Sequence, residues 1–94
     1  MIQNFRSRAL KRFWRTGDKS GLRPDWAAKA GRILDVMDRA KLPGELDIPG
    51  YGFHPLTGNL KGRYAVKISR NWRITFGWAG DEAVDVDLED YHGS

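Results

Sequence analysis

The chain has 94 residues, no cysteine and a formal net charge of +4. These facts exclude a disulfide scaffold, a thiolate metal site and a Cys nucleophile, and two histidines cannot by themselves close a zinc site. No apolar run approaches the roughly 18 residues of a membrane span, and the start Met1-Ile2-Gln3-Asn4-Phe5-Arg6 carries no signal-peptide pattern. One cytoplasmic domain over residues 1–94 is therefore expected, with no metal, no cofactor and no membrane partner.

In chain order, Met1 to Phe5 is a short apolar start that reads as a strand. Ser7 offers a helix N-cap, Ala9, Leu10, Phe13 and Trp14 recur at helical spacing, and Gly17 stops the pattern. Residues 16–23 are polar and glycine-containing, hence a loop. Pro24 suits the first turn of a second helix, whose stripe is Trp26, Ala30, Ile33, Leu34 and Met37. Between Pro43 and Gly62 lie three of the four prolines and five glycines. An irregular stretch of this kind in a small domain is the place to seek a site.

The remainder alternates. Tyr64, Val66 and Ile68 share one face, as do Trp72, Ile74, Phe76 and Trp78, and then Val84, Val86 and Leu88. These are three strands of an antiparallel meander with one buried face. A two-residue turn at Arg70-Asn71 would set outward Ser69 against inward Trp72, so the loop must be odd, such as Ser69-Arg70-Asn71. The same rule sets Arg73 across from Asp87 or Glu89. The predicted fold is α+β, in the order β-α-α-β-β-β, with two helices covering a curved sheet.

Charge is unevenly placed along this frame. Residues 1–41 carry eleven basic and four acidic groups, residues 42–80 five and two, and residues 81–94 none and six. A body of +10 beside a tail of −6 attracts polyanions, of which nucleic acid is the commonest in a cytoplasm. The open sheet face would present Arg63, Lys67 and Arg73, with Arg70 at a turn and Lys61 just before. Cross-strand ion pairing is the plain account of these cations. Trp26, Trp14 and Phe13 exceed what a small helical layer needs, so part of this aromatic surface is expected to dock a partner, core packing being the alternative for Trp26.

Two histidines complete the set: His54 inside the long loop, and His92 in Glu89-Asp90-Tyr91-His92. RNA cleavage without a metal needs a group to take the 2′-OH proton, a group to protonate the 5′-oxygen, and cations for the charge on phosphorus. All of these residue types are present. A non-catalytic RNA-binding module would use the same cations and leave the histidines incidental.

Three segments, Phe53-His54-Pro55-Leu56-Thr57-Gly58, Arg70-Asn71-Trp72-Arg73-Ile74-Thr75-Phe76 and Glu89-Asp90-Tyr91-His92, resemble those of the HigB-type toxins, the plasmid-maintenance killer branch of the RelE superfamily. Met1-Ile2 with Phe5, and Gly17 after the first helix, fit the same pattern. The resemblance implies a RelE-like fold and a type II toxin that cuts mRNA during translation in the ribosomal A site. It also implies neutralisation by a helix-turn-helix antitoxin of the HigA type, and a higher-order toxin–antitoxin complex on operator DNA. On the matching motifs His54, Arg73, Asp90, Tyr91 and His92 carry over as active-site residues, with Lys61, Arg63, Lys67 and Arg70 on the RNA. One departure stands out: Thr57 takes a place where many relatives have Lys, so Lys61 or Arg63 would have to supply that cation.

Overall fold

The computed structural model describes residues 1–90. Helix α1 (Arg8–Thr16) begins where the Ser7 hydroxyl accepts the Leu10 N–H at 3.1 Å. It ends at Gly17, whose φ of 79° is left-handed and whose N–H reaches Phe13 O. Helix α2 (Ala27–Arg39) starts later than Pro24 suggests. Residues 24–26 form a turn closed by Trp26 N–H to Arg23 O at 2.9 Å, and the helix opens only with Ala30 N–H to Trp26 O. The 3-10 turns Pro43–Leu46 and Gly58–Leu60 break up the long connection that follows.

Four strands, β1 (His54–Pro55), β2 (Arg63–Lys67), β3 (Trp72–Ala79) and β4 (Glu82–Asp90), pair antiparallel in the order β1-β2-β3-β4. Two helices on an antiparallel sheet is the α+β architecture expected. Strand β1 was hidden in the sequence, because two residues carry no periodicity. Met1 to Phe5, read as a strand, instead touches β4 through two isolated parallel bridges, Ile2 to Ala83 and Phe5 to Val86.

The interruption has a cause in β4. Thr75 pairs with Asp87 but Gly77 pairs with Val84, so Asp85 and Val86 together oppose Phe76. This is a β-bulge, with Asp85 at a left-handed φ of 51°. It overturns the regular alternation of Val84, Val86 and Leu88. Ala83 and Val86 are buried, while Val84 turns to the open face against Gly77, where an added Cβ would lie 3.1 Å from Val84 Cγ2. Asn4 closes the gap in the ladder with its side chain: Oδ1 accepts Asp85 N–H at 2.9 Å and Nδ2 donates to Asp85 Oδ1 at 2.7 Å.

Asp85→Ala should therefore lose the Asn4 Nδ2 hydrogen bond and keep the backbone strain. A loss of about 1–2 kcal/mol in urea unfolding is expected. Asp85→Gly, which adopts that φ without strain, should lose less. Equal losses for the two would remove strain from the explanation.

The inner face of the sheet carries Val66, Ile74, Phe76 and Val86, all fully buried against Leu10 of α1 and Ala30, Ile33, Leu34 and Met37 of α2. Phe76 sits at its centre, with ring centroids 5.7 Å from Tyr64 and 6.1 Å from Trp78. Trp26 is 6% exposed and lies 5.4 Å from Trp72, so it belongs to the core and offers no docking surface. Phe13 and Trp14 are half-buried against the same core. The β2–β3 loop is odd, as parity requires: Ile68 N–H reaches Trp72 O at 3.1 Å around Ser69-Arg70-Asn71. No helix among the described residues is long and apolar enough to cross a membrane.

Candidate active site on the open sheet face

Strand register sorts the candidates by face. His54, Ala65, Thr75 and Asp87 form one row across the sheet, and Lys67, Arg73 and Glu89 form the next. Both rows lie on the face away from the helices, because Val66, Ile74 and Leu88 alternate with them. His54, Lys67 and Arg73 thus share one surface although they come from three strands.

His54 is held from below. Its Nδ1 lies 3.0 Å from Gly52 O. A carbonyl only accepts, so Nδ1 carries the proton and Nε2 is the basic nitrogen. The segment that does this is Gly50-Tyr51-Gly52, whose glycines take φ of 91° and 57°. Its three carbonyls are used in turn: Gly50 O accepts from Lys29 Nζ at 3.0 Å, Tyr51 O from Lys67 N–H at 2.6 Å, and Gly52 O holds His54.

Arg73 is half-buried, opposite Glu89, and folds over the preceding turn. Its Nη1 donates to Ser69 O at 3.0 Å, Trp72 O at 3.2 Å and Arg70 O at 3.3 Å. The guanidinium is thereby fixed at the end of the sheet where Lys67 and Arg70 are exposed. Arg70 also lines a hollow of about 250 Å3 with Arg23, Trp26, Asn71 and Trp72. Lys61 is exposed just after the second 3-10 turn, and Thr57 is exposed just before it.

Arg63 has a different duty. Its Nη2 donates to Thr75 Oγ1 and to Asp85 O, each at 3.0 Å, and the fully buried Thr75 hydroxyl donates in turn to Glu89. Burial lowers the Arg63 pKa first, and Arg6 adds to this, against the opposing pull of Glu89, Asp85 and Asp87. The guanidinium braces β2 to β3 and β4, the bulge included.

Asp90 pairs with Trp72, one residue out of step with the Arg73–Glu89 row. Regular register therefore sets it on the opposite side of the strand from Arg73. Tyr91 and His92 lie outside the described residues.

Away from this face, Arg8, Lys11, Arg12 and Arg15 recur at i, i+3, i+4 and i+7 along α1, all exposed around a hollow of about 310 Å3. The helix thus buries Leu10 and turns a continuous cationic stripe outward.

Residues 3–92 match the family described as the RelE-like toxin of type II toxin-antitoxin system HigB. The chain belongs to this family. It is 34% identical over 92 residues to the Endoribonuclease HigB of Proteus vulgaris, covering 98% of this chain and 100% of that protein. It is 30% identical over 91 residues to the Toxin HigB-1 of Vibrio cholerae serotype O1, covering 95% and 96%. As a HigB-like toxin of a type II system, the chain has an antitoxin as its partner.

Two features of this HigB-like face escaped the sequence. Thr75 reads as an ordinary outward strand residue, yet it links Arg63 to Glu89. Lys29 reads as a solvated helix position, yet it reaches the glycine segment under His54. Neither has a sequence signal, since both depend on contacts between distant segments. Among the described residues no three His, Asp or Glu side chains cluster to hold a metal.

Proposed function

We propose that this toxin is an endoribonuclease that acts in the cytoplasm on messenger RNA engaged by the ribosome. On this reading it uses acid–base chemistry without a metal and is restrained by a helix-turn-helix antitoxin of the HigA type. The observation that carries the reading is the convergence of His54, Lys67 and Arg73 on one open face, with His54 Nε2 as a base. One group takes the proton from a 2′-hydroxyl, the 2′-oxygen attacks phosphorus, and the 5′-oxygen leaves with a proton from a second group. His54 and His92 are assigned these two roles, with Asp90 and Tyr91 carried along as neighbours of His92 in the sequence motif, and Arg73 stabilises the charge that builds on the phosphate. Lys61, Lys67 and Arg70 are the exposed cations available to the strand. The experiment is single-turnover cleavage of a message in programmed ribosomes. An intact message would reduce the protein to a binding module.

The α1 stripe supports association with ribosomal RNA, since contacts to phosphate need charge and no sequence. Reversing Lys11 and Arg15 to Glu should weaken binding alike for all messages. Each lost phosphate contact should flatten the log–log salt slope by about 0.7–0.9. An unchanged slope would remove α1 from the interface.

A further inference from the structure

Five ion pairs among the described residues neutralise Arg6, Arg12, Arg23, Arg39 and Lys41. Lys29, Arg32 and Lys67 take part in none of them. Two come from α2, three residues apart and hence neighbours on its surface, and one comes from the end of β2. The fold nonetheless draws Lys29 and Lys67 together. Lys29 Nζ is tethered to Gly50 O at 3.0 Å and lies 6.0 Å from the Tyr51 ring centroid. The Lys67 N–H is bonded to Tyr51 O, and the Lys67 stem passes beside Gly52, its Cβ within 3.5 Å of where a Cβ on that glycine would lie. Burial lowers the Lys29 pKa first, and Lys67, Arg32 and Arg73 each lower it further. The charges that act on Lys29 are thus all cationic, with Glu89 lying beyond Arg73 in the cross-strand row, and such a gathering leaves a local field that an anion relieves.

The position of this field gives the anion its identity. The glycine segment that tethers Lys29 also holds His54, two residues further along. Lys67 stands directly across from Arg73. A strand lying over His54 and Arg73 therefore passes Lys67 and Lys29 as it leaves the sheet edge. We infer that Lys29, Lys67 and Arg32 form a phosphate subsite for the RNA strand, next to the linkage positioned at His54. The inference rests on the ribonuclease reading above. Lys29 acts here as a binding residue, supplied by a helix whose other face is core.

The test uses the full chain and a short single-stranded RNA carrying 2′-O-methyl sugars, which cannot be cut. Binding is followed by fluorescence anisotropy over a range of salt. Lys29→Gln keeps a donor for Gly50 O and loses the charge. It should weaken binding roughly tenfold at low salt, the size of one charge-assisted contact, and flatten the salt slope by about 0.7. Lys29→Arg should restore both, and Lys19→Gln, in the exposed loop after α1, should change neither. A second arm replaces each phosphate in turn with a neutral methylphosphonate. Wild type should be sensitive at one linkage to which Lys29→Gln and Lys67→Gln are both indifferent. Wild-type affinity and slope in Lys29→Gln, or unaltered sensitivity at every linkage, would overturn the subsite. Because the probe is not cut, the two readings fail separately. If wild type leaves ribosome-bound message intact while RNA affinity follows Lys29, the nuclease reading falls and the subsite stands. If message is cut and Lys29→Gln binds normally, the reverse holds.

Discussion

His54→Gln should lower single-turnover cleavage of ribosome-bound message by about 10²–10⁴, the usual range for a general acid or base. The ring sits on a two-residue edge strand and is half-buried, so little of the core depends on it. Glutamine can still donate to Gly52 O, but it has no basic nitrogen in place of Nε2. Thermal unfolding should thus shift little while the rate collapses. Cleavage at the wild-type rate would take His54 out of the chemistry and leave Arg73 and the terminal Asp90-Tyr91-His92 segment to account for it.

Phe76→Ala should be the most damaging change outside the site. The ring is fully buried at the middle of β3, with Tyr64 and Trp78 on either side and α2 above. Phe→Ala in such a core costs about 3–5 kcal/mol, against total stabilities of about 5–15 kcal/mol for domains of this kind. The urea midpoint should fall sharply, and cells should tolerate the variant because little folded toxin remains. Phe76→Leu, which fills most of the volume, should lose about 1–2 kcal/mol and keep its toxicity. A loss of under about 1 kcal/mol for Phe76→Ala would mean that the core collapses into the vacated space.

These two residues illustrate what sequence could and could not say. Phe76 was evident because alternation over Trp72 to Trp78 has one physical cause, a half-buried strand. Parity alone then gave the odd loop at Ser69-Arg70-Asn71 and narrowed the partner of Arg73 to Asp87 or Glu89, of which the structure takes Glu89. The same reasoning failed at Val84. A bulge shifts parity by one residue, and Asp85 gives no local sign that it will adopt a left-handed backbone. The long connection was correctly marked as unusual, but its strand was invisible, since β1 is defined by its partner and has no pattern of its own. The bracing bonds of Arg63 were equally invisible, because charge can be read in a sequence and hydrogen-bond partners cannot. The tether from Lys29 Nζ to Gly50 O is hidden for the same reason.

The parallel bridges of Ile2 and Phe5 to Ala83 and Val86 join segments 81 residues apart. Closing that contact requires β4, and β4 is also the strand that completes the bulge, the Arg63 brace and the row containing Arg73. During synthesis, which delivers about 5–20 residues per second, α1 and α2 emerge first but have no sheet to cover. The nascent chain can form helices early, yet it cannot assemble the open face until nearly all of the described residues have cleared the exit tunnel. The open face is therefore a late product of synthesis, formed only once β4 can pair with β3.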